Sequence, residues 1–267
     1  MLQTVQNWLG MRRDAYRRTQ PLILINGLAE QGESWFRNRD YFQRHFDVRM
    51  PGILVYDGPV IQQRLEQREP VNVAFLTDRL EAYLDNFVQT PPYHLVASSL
   101  GGQVAVEYCA RHPDKVERMV LLCPSGMGCE EKLPITEGAR HHNYQGLVES
   151  VFYDHRLASP GVVEYYARKF SSRNWRKAIF QTVRGTKSHS VNDRLPKVQR
   201  PTFVICGRQD RIVDPFHVER VVSGLRNFRF LMLDRCGHAP QLEMPRLVNR
   251  LVVDFLCEQS VEEAVAC

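Results

Sequence analysis

Ser99, Asp210 and His238 occur in an order, and beside elements, that suit nucleophilic attack on a carbonyl carbon. Ser99 lies in Ala97-Ser98-Ser99-Leu100-Gly101-Gly102. An apolar run, Tyr93-His94-Leu95-Val96, precedes it, and a helical pattern from Gln103 to His112 follows. Strand, small-x-Ser-x-small, helix is the order of a sharp turn that lifts a serine Oγ into the open. Residues two before and two after the serine must be small, and Ala97 and Gly101 are. The turn also puts the Leu100 N–H at a helix start, where it can stabilise a developing oxyanion. The competing reading of Ser99 is a solvated helix N-cap, so its partners carry the argument.

Asp210 follows the apolar run 201–206, and His238 follows the run 228–233. Each therefore stands just past a predicted strand, and a last helix is expected from roughly 241 to 258. In a parallel sheet all three residues share the carboxyl edge, where α/β proteins place their ligand crevice. There Ser99 would attack, His238 would take the proton and return it, and Asp210 would fix the imidazole tautomer. Asp214 is a rival acid, but it precedes Pro215 and reads as a helix N-cap. A second oxyanion donor is expected in the loop after an early strand. Pro21-Leu-Ile-Leu-Ile25 is that strand, and in the loop Asn26-Gly27-Leu28-Ala29 the donor is the Leu28 N–H.

These elements predict an α/β fold with a mostly parallel central sheet flanked by helices. No linker or repeat divides the 267 residues. One core, residues 1–126 and 198–267, with an inserted helical cap, residues 127–197, accounts for the length. The cap pattern is interrupted at Pro134, Gly138, Pro160-Gly161, Gly185 and Pro196. A cap there would exclude water and shape a pocket. Trp35, Met127 and Val213 are expected to line that pocket with some of the cap's aromatic residues.

Together these residues resemble the α/β-hydrolase fold superfamily from about Pro21 to Leu256. Within it the chain is similar to cap-bearing serine hydrolases such as carboxylesterases and acyl-carrier-protein methyl-ester esterases. Cys236-Gly-His-Ala-Pro240 with Glu243 and Pro245 is similar to their histidine loop, and residues 207–213 to their acid loop. Three positions depart from the pattern. Asn26-Gly27 replaces His-Gly, Ala97 replaces glycine, and Met50-Pro51-Gly52-Ile53-Leu54 replaces an Asp-x-x-Gly loop. The resemblance implies cleavage of an ester or thioester through an acyl-enzyme, with no metal or organic cofactor. The alternatives on the same triad are a carbon–carbon ring-fission hydrolase and a lactonase. A ligand-binding receptor of the same fold is the non-enzyme alternative. Ala239 follows His238 where the ring-fission hydrolases usually carry Trp.

The net charge is +5. Residues 127–197 hold twelve Lys or Arg against seven acids, an excess equal to that of the whole chain. Such a surface would draw an anionic partner, and an acidic acyl carrier protein docking on the cap fits the resemblance. The plainer reading is a solvated helix face. No recognition motif accompanies the charge, which argues against nucleic acid. No apolar run is long enough to span a bilayer. Residues 1–18 are polar and basic and read as an edge strand or lead-in rather than a signal peptide. Seven cysteines without CxxC spacing argue against a disulfide framework or zinc site and point to a cytoplasmic compartment.

Overall fold

The computed structural model describes residues 20–258 apart from 31, 89, 129 and 130. The lead-in expected over residues 1–18 lies outside the described residues. Six segments form the strands β1 (Pro21–Ile25), β2 (Asp47–Arg49), β3 (Tyr93–Ser98), β4 (Val116–Leu122), β5 (Thr202–Gly207) and β6 (Phe228–Leu233). They make one sheet in the order β2-β1-β3-β4-β5-β6, parallel at every pairing. Parallel strands need helical crossovers, which cover both faces and bury the strands between them. Accordingly β1 and β3 are buried throughout. Alternate residues serve the two faces: Ile23, Ile25, Leu95 and Ala97 join one core, and Leu22, Leu24 and Val96 the other.

The chain steps outward from β1 to β2 and then returns to β3 beside β1. This reversal opens a crevice at the carboxyl ends of β1 and β3. Ile25 pairs with Ala97, so the loop from Asn26 and the turn at Ser99 leave the sheet side by side.

The helices are α1 (Arg39–Phe42), α2 (Pro59–Glu66), α3 (Val73–Phe87), α4 (Leu100–Arg111), α5 (Pro134–His141), α6 (Tyr144–Glu149), α7 (Pro160–Ser171), α8 (Arg173–Thr186), α9 (Pro215–Val222), α10 (Pro240–Glu243) and α11 (Pro245–Cys257). Helix α4 is buried from Leu100 to Cys109, which holds its amino end rigidly under the crevice. Asp214 caps α9 by accepting the Phe216 N–H, as its place before Pro215 predicts. The single last helix expected from 241 to 258 is instead two, α10 and α11. Pro245 forces the preceding Met244 out of helical geometry and starts α11 afresh.

Between β4 and β5 lie α5 to α8. Pro134 and Pro160 open helices, as expected, but Gly138 and Gly185 interrupt none. Both glycines serve close packing instead. A Cβ on Gly138 would fall 2.8 Å from the Leu147 Cβ, and one on Gly185 would strike the Val71 carbonyl. Phe170 meets Trp175 edge to face at 4.7 Å, and Trp175 meets Tyr56 at 5.5 Å. These contacts join the segment to the core beneath it.

Candidate active site

The turn between β3 and α4 holds Ser99 at φ 48° and ψ −117°. A non-glycine residue there costs on the order of 1–3 kcal/mol, which the surroundings must offset. They do so through the backbone: the Ser99 N–H donates to the Leu122 carbonyl at 2.9 Å. The Ser99 carbonyl accepts from Gly102 at 2.8 Å and Ser125 at 3.1 Å. The need for a small residue at 101 comes from β1. A Cβ on Gly101 would lie 2.6 Å from the Ile25 carbonyl oxygen and 2.7 Å from that of Asn26.

Asp210 and His238 come together across the ends of β5 and β6. His238 Nδ1 lies 2.7 Å from Asp210 Oδ2. The other Asp210 oxygen accepts the N–H groups of Ile212 at 2.8 Å and Val213 at 3.1 Å. With its second oxygen so held, the carboxylate can turn only one face to the imidazole. The His238 N–H is itself fixed, donating to the Val151 carbonyl at 2.8 Å. Burial works to lower the His238 pKa. The Asp210 charge and hydrogen bond, with Glu30 and Glu131 nearby, outweigh it and raise the imidazole above its ordinary value.

The loop after β1 is held at several points. Trp35 Nε1 donates to Asn26 Oδ1 at 2.7 Å, so Asn26 anchors the loop where a histidine is usual. The Ala29 N–H donates to the Tyr56 hydroxyl at 3.0 Å, and the Tyr166 hydroxyl to the Ala29 carbonyl at 3.4 Å. The N–H groups of Leu28 and Leu100 have no hydrogen-bond partner among the described residues. Leu100 opens α4, where orphan N–H groups and the helix dipole favour negative charge.

Ser99, Leu28, Leu100 and His238 line one cavity of about 810 Å³. One wall, from the segment between β4 and β5, is apolar at Ile135, Leu147, Val148 and Val183, and the same segment adds the cations Lys132, Arg168, Lys169 and Lys187. Trp35, Met127 and Val213 do not line it, contrary to expectation. Each is at most 1% exposed and packed in the core. Residue type marked them as apolar, but only packing decides which apolar residues face a cavity. Trp35 positions Asn26, and Val213 holds Asp210 through its backbone.

Two acids that the sequence reading passed over also line the cavity, Glu30 and Glu131. Burial pushes both carboxyls above their ordinary range, against the backbone N–H bonds from Gly27 and Gly126 that lower them. Glu30 had a sequence signal: three residues after Gly27 is the spacing at which a side chain reaches back to a backbone N–H. Glu131 had none.

Among the described residues, Cys123, Asp210 and His238 place potential metal-binding atoms within 4.8 Å of one another. Burial drives the Cys123 thiol well above its ordinary pKa, which disfavours the thiolate a metal needs. Asp210 and His238 already satisfy each other. The donor set is a poor fit to an ion.

No helix among the described residues is long and apolar enough to cross a membrane. The chain is 26% identical over 258 residues to the human monoacylglycerol lipase ABHD6, covering 88% of this chain and 74% of that protein. It is also 26% identical to the Comamonas testosteroni 2-hydroxy-6-oxo-6-phenylhexa-2,4-dienoate hydrolase over 177 residues, 61% of this chain and 62% of that one. Among solved structures, the meta-cleavage product hydrolase CumD of Pseudomonas fluorescens superposes with a TM-score of 0.75. Its sequence identity is 20%, and the match covers 88% of this chain and 90% of that one. The model of the alpha/beta hydrolase family matches residues 22–251. With that match on a six-stranded parallel sheet flanked by helices, the chain belongs to the alpha/beta hydrolase family.

Proposed function

We propose that this hydrolase cleaves carboxylic esters through an acyl-enzyme on Ser99, with His238 as general base and acid and Asp210 orienting it. One observation carries the reading. A strained Ser99 and an Asp210-bound His238 line the same cavity, beside the N–H groups of Leu28 and Leu100, which have no partner among the described residues. The order of events follows. His238 accepts the Ser99 proton as Oγ bonds to the ester carbon. The two N–H groups receive the oxyanion. His238 returns the proton to the leaving alcohol, and water repeats the sequence to free the acid.

The apolar wall suits a hydrocarbon acyl chain, and the monoacylglycerol lipase relatives make a monoacyl lipid ester the natural first substrate. Helices α5 to α8 would act as the cap that keeps water from the acyl-enzyme. The dienoate hydrolase relative supports a second reading, carbon–carbon cleavage on the same residues. Ala239 weighs against it, standing after His238 where the ring-fission hydrolases usually carry Trp. Docking of an acidic carrier protein gains nothing from these relatives and is not part of the proposal.

The test is a p-nitrophenyl ester series from C2 to C12, with a monoacylglycerol and a dienoate ring-fission product assayed in parallel. The reading expects ester turnover with an optimum above C4 and little dienoate cleavage. Dienoate turnover exceeding that of every ester would replace it with the second reading.

A further inference from the structure

Glu30 is a cavity acid bonded to the loop after β1 and to the end of β3, and through Ser98 to α10. Its Oε2 accepts the Gly27 N–H at 2.9 Å, and its own N–H donates to the Gly27 carbonyl at 3.3 Å. These reciprocal bonds close residues 27–30 into a tight turn. The turn fixes the peptide that presents the Leu28 N–H. Glu30 Oε1 accepts the Ser98 hydroxyl at 3.1 Å, one residue before Ser99. Ser98 Oγ in turn accepts from Gln241 Nε2 at 3.3 Å, three residues after His238. Ser98 and Gln241 are at most 1% exposed, so water does not compete for the bond between them.

Packing leaves the loop little slack. A Cβ on Gly27 would lie 3.0 Å from both Glu30 Oε1 and Ser99 Cβ. The Glu30 carboxyl and the Ser99 side chain thus both close on the position that only a glycine leaves empty. The titratable groups that act on Glu30 are His238, Tyr56 and Tyr166, from the histidine loop, the loop after β2 and helix α7. None of them is a cation paired directly with it. An acid held in this setting costs desolvation energy, and its hydrogen bonds supply the compensation.

We propose that Glu30 is a positioning residue that holds the Leu28 N–H in register with Ser99 by bridging Gly27 and Ser98. The proposal rests on the ester-hydrolase reading for its kinetic consequence, but its structural consequence stands apart. Losing the bridge frees the turn at 27–30, so the donor is misplaced most where it matters most, at the oxyanion. Ground-state binding against the apolar wall does not depend on this turn.

The experiment compares Glu30→Ala and Glu30→Gln in the full chain. Gln keeps an acceptor for the Gly27 N–H and a polar group for Ser98, whereas Ala keeps neither. Glu30→Ala should lower kcat for a p-nitrophenyl ester by about 10- to 100-fold with KM within about threefold, the pattern of a lost transition-state contact. Glu30→Gln should recover much of that loss. Hydrogen exchange over residues 22–30, read by mass spectrometry, should quicken in Glu30→Ala more than in Glu30→Gln, while α11 exchanges as in wild type. Unchanged exchange at 22–30 overturns the proposal whether or not any ester is cleaved. So does a Glu30→Ala enzyme that raises KM alone, or a Glu30→Gln enzyme no better than Ala. If Glu30→Ala does not fold, Ser98→Ala replaces it: that change cuts the bridge to Gln241 and should shift kcat and exchange in the same directions. A wild type inactive on every ester would defeat the ester reading, and the exchange comparison would still decide the role of Glu30.

Discussion

His238 Nδ1 sits 2.7 Å from Asp210 Oδ2, and the second oxygen of Asp210 is tied to the N–H groups of Ile212 and Val213. The carboxylate is thus oriented by backbone before any substrate arrives. In the proposed mechanism it favours the tautomer with Nδ1 protonated, leaving Nε2 as the base. The imidazole is fixed in two senses, direction and basicity.

The basicity sets a pH profile. In the proposed mechanism a neutral His238 is the active form, and its raised pKa keeps it protonated to higher pH. Activity, as kcat/KM, should therefore rise with pH and have its midpoint above 6.5, the ordinary imidazole value. Asp210→Asn removes the charge that raises the pKa and leaves the burial that lowers it. The midpoint should move down while the plateau falls by about 10³- to 10⁴-fold. A pH–rate series on both proteins checks this. An unmoved midpoint would mean that Asp210 does not act on the base.

Gly101→Ala should injure fold and activity together. Its Cβ would push on the carbonyl oxygens of Ile25 and Asn26, backbone atoms that cannot swing aside. A loss of about 1–3 kcal/mol is expected for such overpacking. Urea unfolding measures it, and a change below 0.5 kcal/mol would show that the turn relaxes freely.

The Trp35 bond to Asn26 gives a third prediction. Trp35→Phe keeps the ring in its buried seat but leaves Asn26 Oδ1 without its donor. A buried acceptor so orphaned costs about 1–3 kcal/mol. Melting should show that loss, and kcat should drop more than KM rises, because Asn26 holds the loop that carries Leu28.

The strands β1, β3, β5 and β6 and the places of the three candidate catalytic residues were legible because their signals are local. An apolar run followed by Gly-x-x-Asp, or by Cys-Gly-His, marks a strand and the loop at its end. The turn at Ser99 was legible for the same reason, although the sequence does not show what crowds Gly101. That crowding comes from the end of β1, about 75 residues earlier in the chain. What failed was non-local. Gly138 and Gly185 read as breaks, yet each is a seat for a neighbour, Leu147 and the Val71 carbonyl. Trp35, Met127 and Val213 read as pocket lining and are core. Facing is a property of packing, and no residue type encodes it alone.

Ser99→Ala tests the central claim most directly. Wild type and variant, shown to melt alike, would be assayed on the preferred p-nitrophenyl ester and treated with a fluorophosphonate probe. The account predicts ester turnover and one labelled site in wild type, mapped to Ser99. It predicts loss of labelling and at least about a 10³-fold fall in kcat/KM for the variant. Retained turnover in a folded Ser99→Ala protein, or a label on another residue, would contradict it.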